Sequence, residues 1–169
     1  FFDPSSSSSP SSPSASAAVV SVQGRVHPVD IFYLSTATAN YLTCAVETAL
    51  KIHRLEQIDG DILIFLPGAE EIHSAISYLH EVYDGGDVLC IPIYSALSPA
   101  SQLKVFQRAP QGIRKIVFGT NIAETSITLE GISFIVDCGL VKLNYFDADA
   151  GVECLICCEA SQASMLQRA

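Results

Sequence analysis

The 169-residue sequence has few cations and no long apolar run. Nine Lys and Arg residues stand against eighteen Asp and Glu residues, a net charge of -9, whereas proteins that bind nucleic acids are usually basic. Any nucleic-acid contact must therefore come from a local site or from charge outside this chain. No apolar stretch approaches the roughly 18 to 20 residues that span a bilayer. The chain has no signal peptide and no initial Met, so we expect a soluble piece of a longer protein.

Several motifs of catalytic sites are also missing. Without a G-x-x-x-x-G-K-S/T loop, the chain has no Walker A lysine to hold nucleotide phosphates. It has no G-x-S-x-G elbow and no H-E-x-x-H zinc motif. Cys154 and Cys157 have the spacing of half a zinc knuckle, but a structural zinc site needs four ligands. We expect no metal site and interpret these thiols, with Cys158, as buried strand residues.

Composition divides the chain into two parts. Residues 1–18 are mostly Ser, Pro and Ala, which bury too little apolar surface to offset the entropy of ordering, so we expect a flexible segment. Residues 19–169 are expected to form one domain, since the length suffices for a single core. The last residues, SQASMLQRA, begin a helix that has no C-cap, which predicts that the domain is truncated there.

The apolar patterns predict alternating strands and helices, and hence a parallel α/β sheet. Extended segments are expected over 19–23 and 29–35, and helices over 36–54 and 69–82. Strands covered on both faces are expected over 61–67 and 88–94, and further strands over 114–120 and 132–138. A hairpin is expected over 140–158. Ser98 and Pro99 begin a helix that is expected to turn Leu103 and Phe106 inward. The cations Lys104, Arg108, Arg114 and Lys115 are interpreted as a solvated helix and turn.

In open parallel sheets, ligands bind at the carboxyl ends of the strands. The sequence there, after the third strand, is GTNIAETSIT (119–128), with five hydroxyl or amide side chains in ten residues. Such donors can hold phosphate oxygens. Composition alone favours the plainer alternative, a polar turn with capping side chains.

GTNIAETSIT resembles motif V of the DEAH-box RNA helicases, in the second of their two RecA-like domains. The neighbouring segments agree in order and spacing: GDILIFLPGAEEI (60–72) resembles motif IV, and SQASMLQRA (161–169) resembles the first half of motif VI, QRxGRxGR. The resemblance covers residues 19–169 and is nearest to a spliceosome-associated branch. It implies a RecA-like three-layer sandwich of the P-loop NTPase type, with a parallel sheet and a β-hairpin near the C-terminus. The function implied is half of a motor that couples ATP hydrolysis to RNA unwinding or ribonucleoprotein remodelling.

The resemblance also implies roles for individual residues. Phe106 matches the residue that stacks on adenine, and Thr128 and Glu130 match positions near the ribose. Gln167 matches the glutamine near the γ-phosphate and the attacking water, which makes it the catalytic candidate, and Arg168 matches the arginine beside it. The motif V residues that touch RNA phosphates correspond to Thr120, Asn121, Thr125 and Ser126.

The implied cofactor is ATP, with Mg²⁺ held by the missing first RecA-like domain. The implied partners are single-stranded RNA, that first domain and a G-patch-type activator, in the nucleus and without a membrane. The two motif VI arginines that stabilise transition-state charge would lie past Ala169, so the chain alone is expected to be inactive. Pro67 replaces a usual Thr in motif IV, and the hairpin tip DADAG is acidic where the family often has Arg.

Two alternatives remain open. The first is a non-catalytic RNA-binding or protein-binding domain derived from the helicase fold. The intact GTNIAETSIT segment argues against it, and the missing arginines argue for it. The second is a Rossmann-like small-molecule enzyme, which the absence of GxGxxG after a first strand argues against.

Overall fold

The computed structural model describes residues 28–56, 60–125, 129–148 and 151–169. The chain divides into two units, 1–30 and 31–169. The predictions for 1–18 and for an extended segment over 19–23 lie outside the described residues. Residues 29–35 contain no strand and are exposed. No helix in the described ranges is both long and apolar enough to cross a membrane.

The second unit is built on a parallel sheet in the strand order β2-β3-β1-β4. Its strands are β1 (Asp61–Phe65), β2 (Val88–Ile93), β3 (Arg114–Gly119) and β4 (Ile132–Asp137). The central strands β1 and β3 are buried almost throughout. This confirms the prediction that these two segments form buried strands of a parallel sheet. The prediction that β2 is covered on both faces is confirmed, because Val88 and Cys90 pack against the core on one face of the sheet while Ile91 and Ile93 are buried in the core on the other. β2 is an outer strand of the described sheet, where Pro92 is tolerated because less of its backbone must pair.

One face of the sheet is covered by α1 (Tyr41–Leu55) and α2 (Ala69–Val82). The core on this face is formed by Val46, Ala49, Leu50, Ile62, Ile64, Ile72, Leu79, Ile116 and Phe118. The predicted bounds of α2 are confirmed. The first helix was predicted to start at 36 but begins at Tyr41, because the Asn40 side chain accepts a hydrogen bond from Thr43 N and caps it there.

The opposite face carries α3 (Pro99–Gln102), a 3₁₀ turn over Leu103–Phe106, α4 (Ile122–Thr125) and α5 (Gln162–Arg168). The prediction that Leu103 and Phe106 point inward is wrong. They are 63% and 53% exposed, whereas Val105 is 1% exposed and packs under the sheet. The reason is the change from α to 3₁₀ geometry after Gln102, which advances each residue further around the axis than an α-helix does. We call Leu103–Phe106 the Phe106 turn.

The predicted hairpin is present as a separate antiparallel pair, β5 (Leu140–Asp147) and β6 (Val152–Glu159). Two strands without a covering layer leave both faces open. Leu143, Tyr145 and Leu155 are accordingly exposed. The prediction of buried strand thiols is wrong for the same reason, since Cys154 and Cys157 are exposed and Cys158 is only partly covered.

Candidate functional site

The GTNIAETSIT segment leaves the sheet at the carboxyl end of β3. A Cβ on Gly119 would lie 3.1 Å from both Ala123 Cβ and Ile93 Cγ2, so a larger residue would crowd the start of α4. Thr120 N then donates to Ile93 O at 3.2 Å, and α4 follows at once. Thr120 is half-buried and Asn121 is exposed beside it. Of the other predicted RNA contacts, Ser126 and the Thr125 side chain lie outside the described residues, as does the nucleotide candidate Thr128.

Arg168 joins this segment to α5 through a buried ion-pair network. Its Nε lies 2.9 Å from Glu124 Oε2, and its Nη1 lies 3.0 Å from Asp137 Oδ1. The guanidinium also sits 4.7 Å from the centre of the Phe65 ring. Only 2% of the Arg168 side chain is exposed. A charge this deep must be paired, and here two carboxylates from different elements pair it.

Gln167 is exposed next to this network. Together with Glu124 and Arg168 it lines one end of a groove of about 190 Å³, whose floor is formed by Leu63, Phe65, Ala123, Ile132 and Ile135. The groove runs over β1 and β4 on the face opposite α1 and α2. One apolar face thus carries polar groups at the carboxyl end of the sheet.

Phe106 and Glu130 lie at the other end of the sheet. Glu130 is in the turn before β4, where Asp61 N donates to Gly131 O at 2.8 Å. The Phe106 turn is held to the start of β3 by Lys115, whose Nζ donates to Val105 O at 3.0 Å. Along β1, Asp61 and Phe65 are about 13 Å apart at a rise of about 3.3 Å per residue. The structure therefore separates the predicted nucleotide residues into an amino-end group and a carboxyl-end group on one face.

Sequence reasoning missed Lys115, which it grouped with solvated cations. Lys115 is 3% exposed, so that interpretation is wrong for this residue. Its position in a strand offers a signal, because Lys115 shares a face with the buried Val117 two residues on. Glu124 and Asp137 were also missed as partners of Arg168, since their pairing depends on long-range contacts.

The base of the hairpin contacts the segment that resembles motif IV. Lys142 Nζ lies 2.8 Å from Glu71 Oε1, and this hydrogen-bonded carboxylate raises the pKa of Lys142. Gly68 leaves room for the contact, because a Cβ there would approach Lys142 Nζ to 2.9 Å. The pair links the start of α2 to β5.

The described residues contain no cluster of three or more His, Cys, Asp or Glu side chains placed to hold a metal ion. The carboxyl-end group combines two carboxylates with one guanidinium, so its formal charge is negative. A polyphosphate would fit there only with cations supplied from another domain. An aromatic base would fit the exposed Phe106 ring without such help.

Comparison with known proteins agrees with these observations. Residues 44–169 match the helicase conserved C-terminal domain. Probable ATP-dependent RNA helicase DHX35 of Homo sapiens is 40% identical over 176 residues, covering 100% of this chain and 25% of that protein. The pre-mRNA-splicing factor ATP-dependent RNA helicase prp22 of Schizosaccharomyces pombe is 42% identical over 155 residues, covering 89% of this chain and 13% of that protein. The structure of the E. coli DExH-box NTPase HrpB has a TM-score of 0.68 and 44% identity, over 80% of this chain and 16% of that one.

The fold and the residues at its carboxyl end define a RecA-like α/β domain of the DExH/DEAH type. The chain belongs to the helicase conserved C-terminal domain family, which confirms the resemblance found in its motifs. It spans a quarter or less of the curated relatives given above.

Proposed function

We propose that this chain is the second RecA-like half of the motor of an ATP-dependent RNA helicase. The whole protein would couple ATP hydrolysis to RNA unwinding or ribonucleoprotein remodelling. The observation that carries the proposal is the buried contact between Glu124 in the GTNIAETSIT segment and Arg168 in α5. That contact joins the segment proposed to touch RNA to the helix proposed to face the ATP phosphates. A motor whose hydrolysis responds to RNA needs such a link.

The RNA side of the proposal rests on Thr120 and Asn121, with Thr125 and Ser126. Their hydroxyl and amide groups suit phosphate oxygens, which position a strand without reading its sequence. Asn121 is exposed at the carboxyl end of β3 and is free of the core. Because the net charge is -9, these contacts alone would bind RNA weakly, and most of the favourable charge must come from the rest of the protein.

The nucleotide side rests on residues at both ends of the groove face. Phe106 would stack on adenine, and Thr128 and Glu130 would lie near the ribose. Gln167 would orient the attacking water at the opposite end. Arg168 is ion-paired with Glu124 and Asp137. Any interaction of its guanidinium with the ATP phosphates would therefore occur while these two ion pairs are kept.

Several finer features are also proposed. Bound Mg²⁺ would be held by the first RecA-like domain, which would close on this one around ATP. A G-patch-type protein would serve as activator. Nuclear pre-mRNA splicing is the proposed pathway, supported by the 42% identity to the splicing factor prp22.

The test uses the protein in its natural full length. Steady-state ATP hydrolysis is measured with and without single-stranded RNA, for the wild type and for Asn121→Ala. We expect RNA to stimulate hydrolysis, and we expect Asn121→Ala to need about threefold or more RNA for half-maximal stimulation while its rate without RNA is unchanged. Lys51→Ala, an exposed change on α1, serves as control. A wild type that hydrolyses no ATP with or without RNA would contradict the proposal.

A further inference from the structure

Lys115 is a buried lysine whose ammonium group is fully engaged inside the domain. Only 4% of its side chain is exposed. Its Nζ donates to Val105 O at 3.0 Å and to Gln107 O at 3.2 Å, and it lies 3.2 Å from Asp61 Oδ2. These three acceptors use all three protons of the ammonium. Lys115 therefore has no proton left for a bound ligand.

The two carbonyl groups that Lys115 binds flank Phe106 in the chain. A short 3₁₀ turn has poor hydrogen-bond geometry and leaves its last carbonyl groups without partners in the turn. Lys115 supplies those partners from the central strand β3. It thereby holds the backbone on both sides of Phe106, while the Phe106 ring remains 53% exposed.

Asp61, the ion-pair partner of Lys115, also contacts the turn that contains Glu130. Its Oδ1 accepts a hydrogen bond from Lys115 N at 3.1 Å, and its own N donates to Gly131 O at 2.8 Å. Gly131 has φ +85°, a left-handed conformation that glycine adopts without strain. The Lys115–Asp61 pair thus connects, through the backbone of Asp61, two turns that are 24 residues apart in the sequence.

We propose that Lys115, paired with Asp61, is a positioning residue that sets the Phe106 turn and the Glu130 turn in register for an adenine nucleoside. The inference rests on the proposed function, in which Phe106 stacks on adenine and Glu130 lies near the ribose. Lys115 does not touch the nucleotide. It lowers the cost of binding because the turn that presents the aromatic ring is already ordered.

Arg114 provides a matched control one residue away. It is also a basic residue of β3 that donates to backbone carbonyl groups, at 3.0 Å to Glu56 O and 3.4 Å to Ile52 O. Those carbonyl groups belong to the end of α1 on the other face of the sheet. Arg114→Met therefore removes backbone contacts made by a neighbouring basic side chain of β3 on the other face of the sheet from the Phe106 turn.

The experiment measures the affinity of the full-length protein for mant-ADP with Mg²⁺, below the melting temperature of every variant. We expect Phe106→Ala to raise Kd about tenfold and Lys115→Met to raise it about threefold or more. The double variant should bind within about twofold of Phe106→Ala alone, because Lys115 acts through Phe106. Arg114→Met should stay within about twofold of the wild type.

Hydrogen exchange supplies a readout that needs no nucleotide. Amides of Leu103–Gln107 should exchange faster in Lys115→Met but not in Arg114→Met. Should Lys115→Met fail to fold, Asp61→Asn keeps the side-chain shape and weakens the Lys115–Asp61 pair, with smaller changes in the same direction. Wild-type affinity in the Lys115 or Asp61 variant, beside a clear loss in Phe106→Ala, would overturn this inference alone. Wild-type affinity in Phe106→Ala would overturn the adenine assignment and this inference with it.

Discussion

At the scale of single residues, Arg168 pairs with two carboxylates inside the domain. Replacing the guanidinium by an apolar side chain leaves Glu124, whose side chain is 9% exposed, and Asp137 without a counter-charge. We expect Arg168→Met to lower the free energy of unfolding by about 3 to 5 kcal/mol in urea titrations. Lys51→Met, on an exposed position of α1, should change it by no more than about 0.5 kcal/mol. A loss under about 1 kcal/mol for Arg168→Met would contradict the network.

The cysteines give a second prediction at this scale. Burial raises the pKa of the Cys90 and Cys138 thiols to about 11, whereas Cys154 and Cys157 are exposed. Because only the thiolate reacts, iodoacetamide at pH 8 should modify Cys154 and Cys157 at least about tenfold faster than the other two. Peptide mass spectrometry measures the order. Equal rates in the native protein would show that the burial of Cys90 and Cys138 is misassigned.

The same two thiols affect stability at alkaline pH. A raised pKa in the folded state stabilises the fold fully below the pKa of the unfolded thiol. That contribution is lost as the pH rises through the folded value of about 11. The midpoint of urea unfolding should therefore fall between about pH 9 and pH 11, and Cys90→Ala should reduce the fall. An unchanged pH dependence in Cys90→Ala would rule out Cys90 as its source.

At the scale of elements, the stability of the short helix α5 depends on contacts at its two ends. Ser161 Oγ accepts a hydrogen bond from Ser164 N at 3.1 Å, and Arg168 closes the helix by packing inward. Helices this short are marginal without such contacts. Ser161→Ala should cost about 1 kcal/mol of unfolding free energy, and Ser161→Asp should restore most of it. Ser74→Ala, at an exposed position inside α2, should be neutral. No difference between the Ala and Asp variants at 161 would argue against the cap.

The elements also show what the sequence could predict. Continuous apolar runs identified β1 and β3, and a clear helical period identified α2, because these patterns arise from local burial. The Phe106 turn could not be found in this way, because the carbonyl groups of Val105 and Gln107 are bound by Lys115 of β3, a contact that the helical pattern does not encode. The hairpin was found, but the exposure of its thiols was not, because an alternating pattern does not say whether a second layer is present.

The candidate site likewise has features that local sequence predicts and features that depend on long-range contacts. The motif in 119–128 led to the carboxyl end of β3 because parallel sheets place their loops there. The pairing of Arg168 with Glu124 and Asp137 joins residues 44 and 31 positions apart. No local pattern encodes such a contact. The motif resemblance supplied the candidate residues, and the structure shows how those it describes are distributed along one face.

At the scale of the whole molecule, charge limits what this domain can do alone. The net charge is -9, and the carboxyl-end group pairs two carboxylates with one arginine. RNA and ATP phosphates are both anions, so the proposed RNA and nucleotide sites would need cations from beyond this domain. The described residues include the exposed aromatic ring of Phe106, polar side chains at the end of β3 and Gln167 beside the buried Arg168 ion pairs. These features fit one half of a two-domain motor.

The most direct test of this account is RNA-stimulated ATP hydrolysis by the full-length protein carrying Gln167→Ala. If Gln167 orients the attacking water, kcat should fall by about 100-fold while the Kd for mant-ADP stays within about twofold of the wild type. The exposed position of Gln167 predicts that folding is unaffected. A variant that hydrolyses ATP at the wild-type rate would contradict the catalytic role assigned to α5.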